Sequence, residues 1–183
     1  MSRLDFNLFS DRVVCFDTET TGLGPTAEIV QISFLDYYGK DLLTRYIQPV
    51  DPISDEAIGV HGITQEVLTK NEAKYFDYYW PFIANGLTKN KVVIGYNVQY
   101  DVRMLNQSMS HYFSKDGFAP LAVIDVMQMA SIAMGDPGWA KLSRASEFFE
   151  VHVPDSIGKF HDARYDAYCT LEIFRKIVEA KNG

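Results

Sequence analysis

Apolar residues run without a break through Val13-Val14-Cys15-Phe16, the pattern of a strand buried on both faces. That strand is predicted from about Arg12 to Asp17. The stretch from Glu28 to Tyr37 carries Ile29, Val30, Ile32, Phe34 and Leu35 and reads as a second strand. Tyr38-Gly39-Lys40 is a turn signal, and Leu42 to Gln48 reads as a third strand completing a hairpin. Pro49 and Pro52 then end strand character. Lys91 to Gly95 is short, continuous and apolar, so a central fourth strand is expected, and Leu121 to Asp125 gives a fifth. Helical patterns fill the rest. Short helices open at Ser54 and Thr64, with His61-Gly62-Ile63 between them. Longer ones are expected over Asn71 to Leu87, Val98 to Tyr112, Val126 to Met134, Lys141 to Phe149 and His161 to Lys181. Three strands in a meander, then two linked through helices, predict an α/β fold: a mixed five-stranded sheet with helices packed on it. Right-handed crossovers set the last two strands parallel to the first, so their C-terminal ends share one edge.

That edge is where the polar pattern becomes informative. Asp17 and Glu19 follow the first apolar run, one residue apart. Side chains alternate along a strand, so both carboxylates point the same way. Like charges side by side repel, and burying them costs more still. A bound cation is the usual remedy, and the pair reads as a hard-metal site closed by the turn at Gly22. An isolated D-x-E would be no more than two turn carboxylates, so the rest of the chain decides.

The fourth strand leads into Gly95-Tyr96-Asn97-Val98-Gln99-Tyr100-Asp101. Alone, Asp101 would be an acid favoured near a helix N-terminus and Asn97 a helix cap. The last helix begins His161-Asp162-Ala163-Arg164-Tyr165-Asp166, with Asp162 a candidate cap. On one continuous helix His161 and Asp166 would lie roughly 140° apart at ~3.6 residues per turn. They converge only if His161 lies on the loop before the helix, which Gly158 and Phe160 make plausible. Otherwise they are a solvated loop histidine and a helix-surface acid.

Composition narrows the class. The chain has 183 residues, enough for one domain with its own core, and 47% of them are apolar. The start of the chain has no signal-peptide pattern, and no apolar run approaches the ~18–20 residues of a membrane span. An intracellular, cytoplasmic protein away from membranes is expected. Cys15 and Cys169 have no metal-finger spacing and predict free thiols. A formal net charge of −7 argues against duplex binding through a basic face. It leaves open an acidic surface that cations convert into a phosphate site.

Phe16-Asp17-Thr18-Glu19-Thr20-Thr21-Gly22-Leu23, Gly95-Tyr96-Asn97-Val98-Gln99-Tyr100-Asp101 and His161-x-Ala163-x-x-Asp166-Ala167, in that order, resemble the three motifs of the DEDDh class of 3′–5′ exonucleases. Within that class the chain resembles the proofreading epsilon subunit of bacterial DNA polymerase III, over about Arg12 to Val178. His61-Gly62-Ile63-Thr64 matches a further segment of these enzymes, and Asp125 stands at a position often acidic in them. Tyr96 stands where the family often has His. The chain also ends soon after the last helix, without the extension by which epsilon holds its polymerase, so that partnership is doubtful while the chemistry is untouched.

The resemblance implies a ribonuclease H-like fold, one exonuclease domain over residues 1–183, and two divalent ions, Mg²⁺ or Mn²⁺. It implies hydrolysis of terminal phosphodiesters to nucleoside 5′-monophosphates, with single-stranded DNA the expected substrate in replication proofreading or repair. Asp17 would bridge both ions, Glu19 and Asp101 would support the leaving-group side, and Asp166 would help hold the ion carrying the attacking water. His161 would be the general base, since neutral imidazole accepts a proton near pH 7. Thr18, Thr20, Leu23, His61 and Asn97 would meet the substrate, with Leu23 either a wedge between the last two bases or a core residue. The aromatic cluster from Tyr75 to Trp80 reads as packing before stacking platform. Arg103, Arg144 and Arg164 are solvated surface unless they reach phosphates. The alternatives are an exoribonuclease of the same fold and a polymerase-associated binding subunit.

Overall fold

A computed structural model describes residues 9–110, 118–136 and 138–180. The first run continues past its acids, as β1 (Val13–Thr20). It pairs antiparallel with β2 (Ile29–Asp36), which pairs with β3 (Asp41–Gln48), giving the expected meander. β5 (Val92–Gly95) runs parallel to β1, and β6 (Ala122–Asp125) parallel to β5. Among the described residues the sheet has six strands, one more than expected, in an order that starts from the edge strand β4 (Lys74–Tyr75): β4-β3-β2-β1-β5-β6. The addition is β4, two residues beside the end of β3.

Short helices α1 (Asp55–His61) and α2 (Gln65–Lys70) are capped by the hydroxyls of Ser54 and Thr64. The single helix expected over Asn71 to Leu87 is instead β4, then α3 (Phe76–Phe82), then a π-helical segment Ile83–Thr88. Edge pairing with β3 takes the start of that stretch, and Pro81 lies inside α3. α4 (Val98–Ser110) follows β5; the expected end of this helix at Tyr112 lies outside the described residues. α5 (Val126–Met134) is as expected, α6 spans Leu142–Phe148, and a short 3₁₀ turn occupies Asp155–Ile157. α7 (Ala163–Ala180) begins after His161, which stands on the turn before it. The expected end of that helix, Lys181, is outside the described residues.

The two faces of the sheet carry separate cores. Val14, Phe16, Ile32 and Phe34 pack with Trp80 of α3 and Met104 and Leu105 of α4. Phe16 and Phe34 stack with ring centroids 5.2 Å apart. Phe76 and Trp80 are buried and stacked while Tyr75 and Tyr78 are exposed, so the packing reading holds for the inner half of that cluster. On the other face Val13, Cys15, Leu35 and Ile94 pack with Val126 of α5 and with Ala167, Leu171 and Phe174 of α7. β1 is therefore gripped between α4 and α7. No described helix is long and apolar enough to cross a membrane.

Gly95 sets how closely α4 approaches. A Cβ there would stand 2.8 Å from Val98 Cγ2 and 3.2 Å from the Phe16 carbonyl oxygen. Gly95→Ala is expected to destabilise the fold by about 1–3 kcal/mol through overpacking. A urea titration would read this as a lower midpoint at unchanged slope; an unchanged midpoint would show that this approach is not tight.

Candidate active site

Asp17 and Glu19 sit two apart on the face of β1 that meets α7, the face also bearing Cys15. Thr18 points to the opposite face, where its hydroxyl donates to Asp101 Oδ1 at 2.6 Å. Asp101 stands in the first turn of α4 and is 3% exposed; Asp166 stands in the first turn of α7 and is 8% exposed. Both lie on the buried stripes of their helices, between apolar neighbours such as Val98 and Leu105, or Ala163 and Ala167. The surface-acid reading of Asp166 is thereby excluded. One strand end and two helix starts thus bring four carboxylates together.

His161 arrives from outside the helix, as convergence requires. Its φ is +64°, a left-handed conformation uncommon for a residue with a side chain. Its backbone N–H donates to Asp166 Oδ2 at 3.3 Å. Ligand atoms of Glu19, His161 and Asp166 all lie within 4.8 Å of one another. Asn97 occupies the corresponding turn before α4, with φ +56°. Asp125 holds that turn, its Oδ1 accepting from the N–H of Asn97 and of Met127.

The electrostatics follow from this crowding. Burial, then the charges of Asp101, Asp166 and Glu19, push the Asp17 carboxyl well above its usual range. Burial first and Asp166 next push Glu19 up to about 8. Burial also pushes Asp101 and Asp166 up to about 7 each. Asp166 Oδ1 is buried without a hydrogen-bond partner. Unpartnered carboxylate oxygens and mutually repelling acids are what a hard divalent cation would satisfy. The residues present therefore fit one.

Beside the acids lies a cleft of about 470 Å³ lined by Thr18, Glu19, Thr20, Leu23, His61 and Tyr100, among others. Leu23 is 80% exposed there, which removes the core reading and leaves the exposed one. His61 is held by both ring nitrogens. Nδ1 accepts from the Ile63 N–H at 2.9 Å and Nε2 donates to the Thr20 carbonyl at 3.1 Å. Burial lowers its pKa, consistent with a neutral ring. Tyr100 had no role assigned from the sequence. Its hydroxyl lies 2.7 Å from Thr20 Oγ1 and donates to the Gly22 carbonyl, tying the Leu23 turn to α4. The only hint was its place next to Asp101. Arg103 lies over the Tyr100 ring at 5.2 Å, whereas Arg144 and Arg164 pair with Asp136 and Asp41.

A mixed sheet flanked by helices, with acids gathered where its first strand ends, is the ribonuclease H-like fold. Residues 14–174 match the family described as Exonuclease, and the chain belongs to that family as a nucleic-acid hydrolase. The resemblance to DEDDh exonucleases read from the three motifs is thereby borne out. The uncharacterized exonuclease CP81 of Escherichia phage 186 is 33% identical over 96% of this chain and 91% of its own length. The PolC-type DNA polymerase III of Oceanobacillus iheyensis is 23% identical over 96% of this chain, which spans 12% of that polymerase. Among solved structures, Exonuclease X in complex with 5′ overhanging duplex DNA superposes with a TM-score of 0.73 at 21% identity, over 93% of each chain.

The carboxyl shifts make a stability prediction for the protein in chelator. Glu19 is raised from 4.5 to about 8, and Asp101 and Asp166 from 3.8 to about 7. Between those limits the folded protein binds more protons than the unfolded chain, so stability present at low pH is lost as pH rises. In EDTA the melting temperature should fall from pH 4.5 to pH 8, and Mg²⁺ or Mn²⁺ should reverse the fall most strongly at pH 8. A melting temperature that climbs over that interval in EDTA would contradict the crowding.

Proposed function

We propose that this chain, acting as one exonuclease domain over residues 1–183, hydrolyses the terminal phosphodiester at the 3′ end of single-stranded DNA. Nucleoside 5′-monophosphates are released, in replication proofreading or repair. The observation that carries this reading is the convergence of Glu19, His161 and Asp166, from a strand, a turn and a helix, within 4.8 Å. That group adjoins a cleft large enough for a terminal nucleotide. Buried free thiols at Cys15 and Cys169 suit the reducing cytoplasm.

Asp17, Glu19, Asp101 and Asp166 would hold two divalent cations, Mg²⁺ or Mn²⁺, since an oxygen donor set suits hard ions. The chemistry supplied there is neutralisation of the phosphodiester's charge, polarisation of the attacking water and stabilisation of the leaving 3′ oxygen. The chain's own residues do the rest. Thr18 orients Asp101 through its 2.6 Å hydrogen bond, and its backbone N–H interacts with the same carboxyl beside the proposed place of the terminal 3′ hydroxyl. The His161 ring takes the proton of the attacking water, held toward the acids by its left-handed turn. Leu23, exposed at the cleft, wedges its apolar side chain between the last two bases. Thr20 and His61 keep that turn in place through its own backbone. Asn97, exposed at the start of α4, is available to the terminal nucleotide.

The test uses 5′-labelled single-stranded DNA and RNA of matched sequence with Mg²⁺ or Mn²⁺. The expected result is a metal-dependent ladder shortening from the 3′ end, faster on DNA and abolished in Asp17→Ala. His161→Ala should lower kcat about 10²–10⁴-fold, the usual contribution of a positioned base. A faster RNA ladder would reassign the substrate. No ladder from folded protein with either metal would favour a polymerase-associated binding subunit.

A further inference from the structure

β2 is buried from Ile29 to Leu35 and apolar there except at Gln31 and Ser33, and Gln31 is only 2% exposed. A buried amide requires partners for both its ends. Gln31 pairs across the sheet with Glu19, so its side chain emerges on the face that meets α7. There its Nε2 donates to Asp162 Oδ2 at 3.0 Å, and its Oε1 accepts from the Ala163 N–H at 3.0 Å. Asp162 uses its other oxygen to cap α7, accepting from the N–H of Arg164 at 3.0 Å and of Tyr165 at 3.4 Å. The Ala163 N–H is one of the donors that a helix start leaves without an intrahelical partner. Gln31 therefore satisfies the helix start and its cap together.

The tie matters because the groups it joins repel. Asp162 raises the carboxyl pKa of Asp17, Glu19 and Asp166 alike, so the start of α7 brings a further negative charge toward the acids of β1. Repulsion pushes α7 away from β1 at the end where Asp166 and His161 must meet Glu19. Gln31 opposes that push without adding charge. Glutamate could not donate to Asp162, and leucine would leave both partners unsatisfied. Gln31 itself is not part of the cleft lining.

The geometry points to Gln31 as a positioning residue that splints the start of α7 to the sheet and so sets the spacing of Asp166 and His161 from Glu19. The consequence for catalysis rests on the function proposed above. The splint itself has an independent readout. The decisive comparison is between Gln31→Glu, Gln31→Leu and the double variant Gln31→Glu with Asp162→Asn. In the double variant donor and acceptor are exchanged. The new carboxylate at position 31 accepts from the new amide at position 162 and from the Ala163 N–H. The oxygen of that amide still caps α7, and the net charge is that of the unaltered protein. Gln31→Leu keeps the site apolar and so guards against a misfolded Gln31→Glu.

Each protein would be measured for Mn²⁺ affinity by calorimetry, for amide hydrogen exchange at Ala163 to Tyr165, and for kcat and KM at saturating metal. Both single variants should exchange those amides faster and lose Mn²⁺ affinity by roughly tenfold or more, with kcat falling more than KM changes. The double variant should recover most of each loss. Exchange and affinity within twofold of the unaltered protein in both single variants would overturn the proposal, as would a double variant no better than Gln31→Glu. If the unaltered protein binds Mn²⁺ without cleaving, the function is wrong and the splint is still judged by affinity and exchange. If it binds no Mn²⁺, exchange alone decides.

Discussion

Mutual repulsion among the carboxylates at the end of β1 is the constraint on which the rest of this structure depends. Burial raises the proton affinity of Asp17, Glu19, Asp101 and Asp166, and the charges of neighbouring carboxylates raise it further. Such a cluster opposes folding unless something rigid holds it. Here the rigidity comes from two cores. One fixes α4 against one face of β1 and the other fixes α7 against the opposite face. The acids sit where both helices begin, on the buried stripe of each. The apolar packing that anchors the helices therefore also delivers the charges.

The connections to those helices share a device. Asn97 and His161 each adopt a left-handed conformation just before a helix that carries a buried acid in its first turn. Each turn is then held by a carboxylate: Asp125 at Asn97, and Asp166 at His161. Neutral polar groups bridge where charges would repel, as Thr18 does to Asp101, Tyr100 to the Leu23 turn and Gln31 to the start of α7. The result is an acidic centre in an otherwise ordinary core, with a cleft beside it whose walls are braced from behind.

Much of this was legible along the chain. Unbroken apolar runs announce β1 and β5 because both faces of those strands are covered. The alternation of Asp17 and Glu19 with Thr18 was enough to put both acids on one face. The angular mismatch between His161 and Asp166 correctly required the histidine to leave the helix. Two further signals were present but unused. Asp101 and Asp166 each fall at a position where helical periodicity calls for an apolar residue, and Gln31 interrupts an apolar strand. The misreading over Asn71 to Leu87 has a plain cause. Two-residue β4 is made by pairing with β3, and no local pattern distinguishes such a strand from the start of a helix. The assignment of Leu23 stayed open for a similar reason, since an apolar residue after a glycine turn can face either way.

By itself, then, the sequence determined the order of strands and helices outside the stretch from Asn71 to Leu87, the family, and the acids and histidine to look for at one sheet edge. Local periodicity and residue chemistry are written into neighbouring positions and need no partner to be read. Only the tertiary structure decided which groups brace the site. Tyr100 meets Gly22 across 78 residues, and Gln31 meets Asp162 across 131. A hydrogen bond over such distances depends on how two packed layers settle against one sheet, and nothing in either residue's neighbourhood along the chain specifies that.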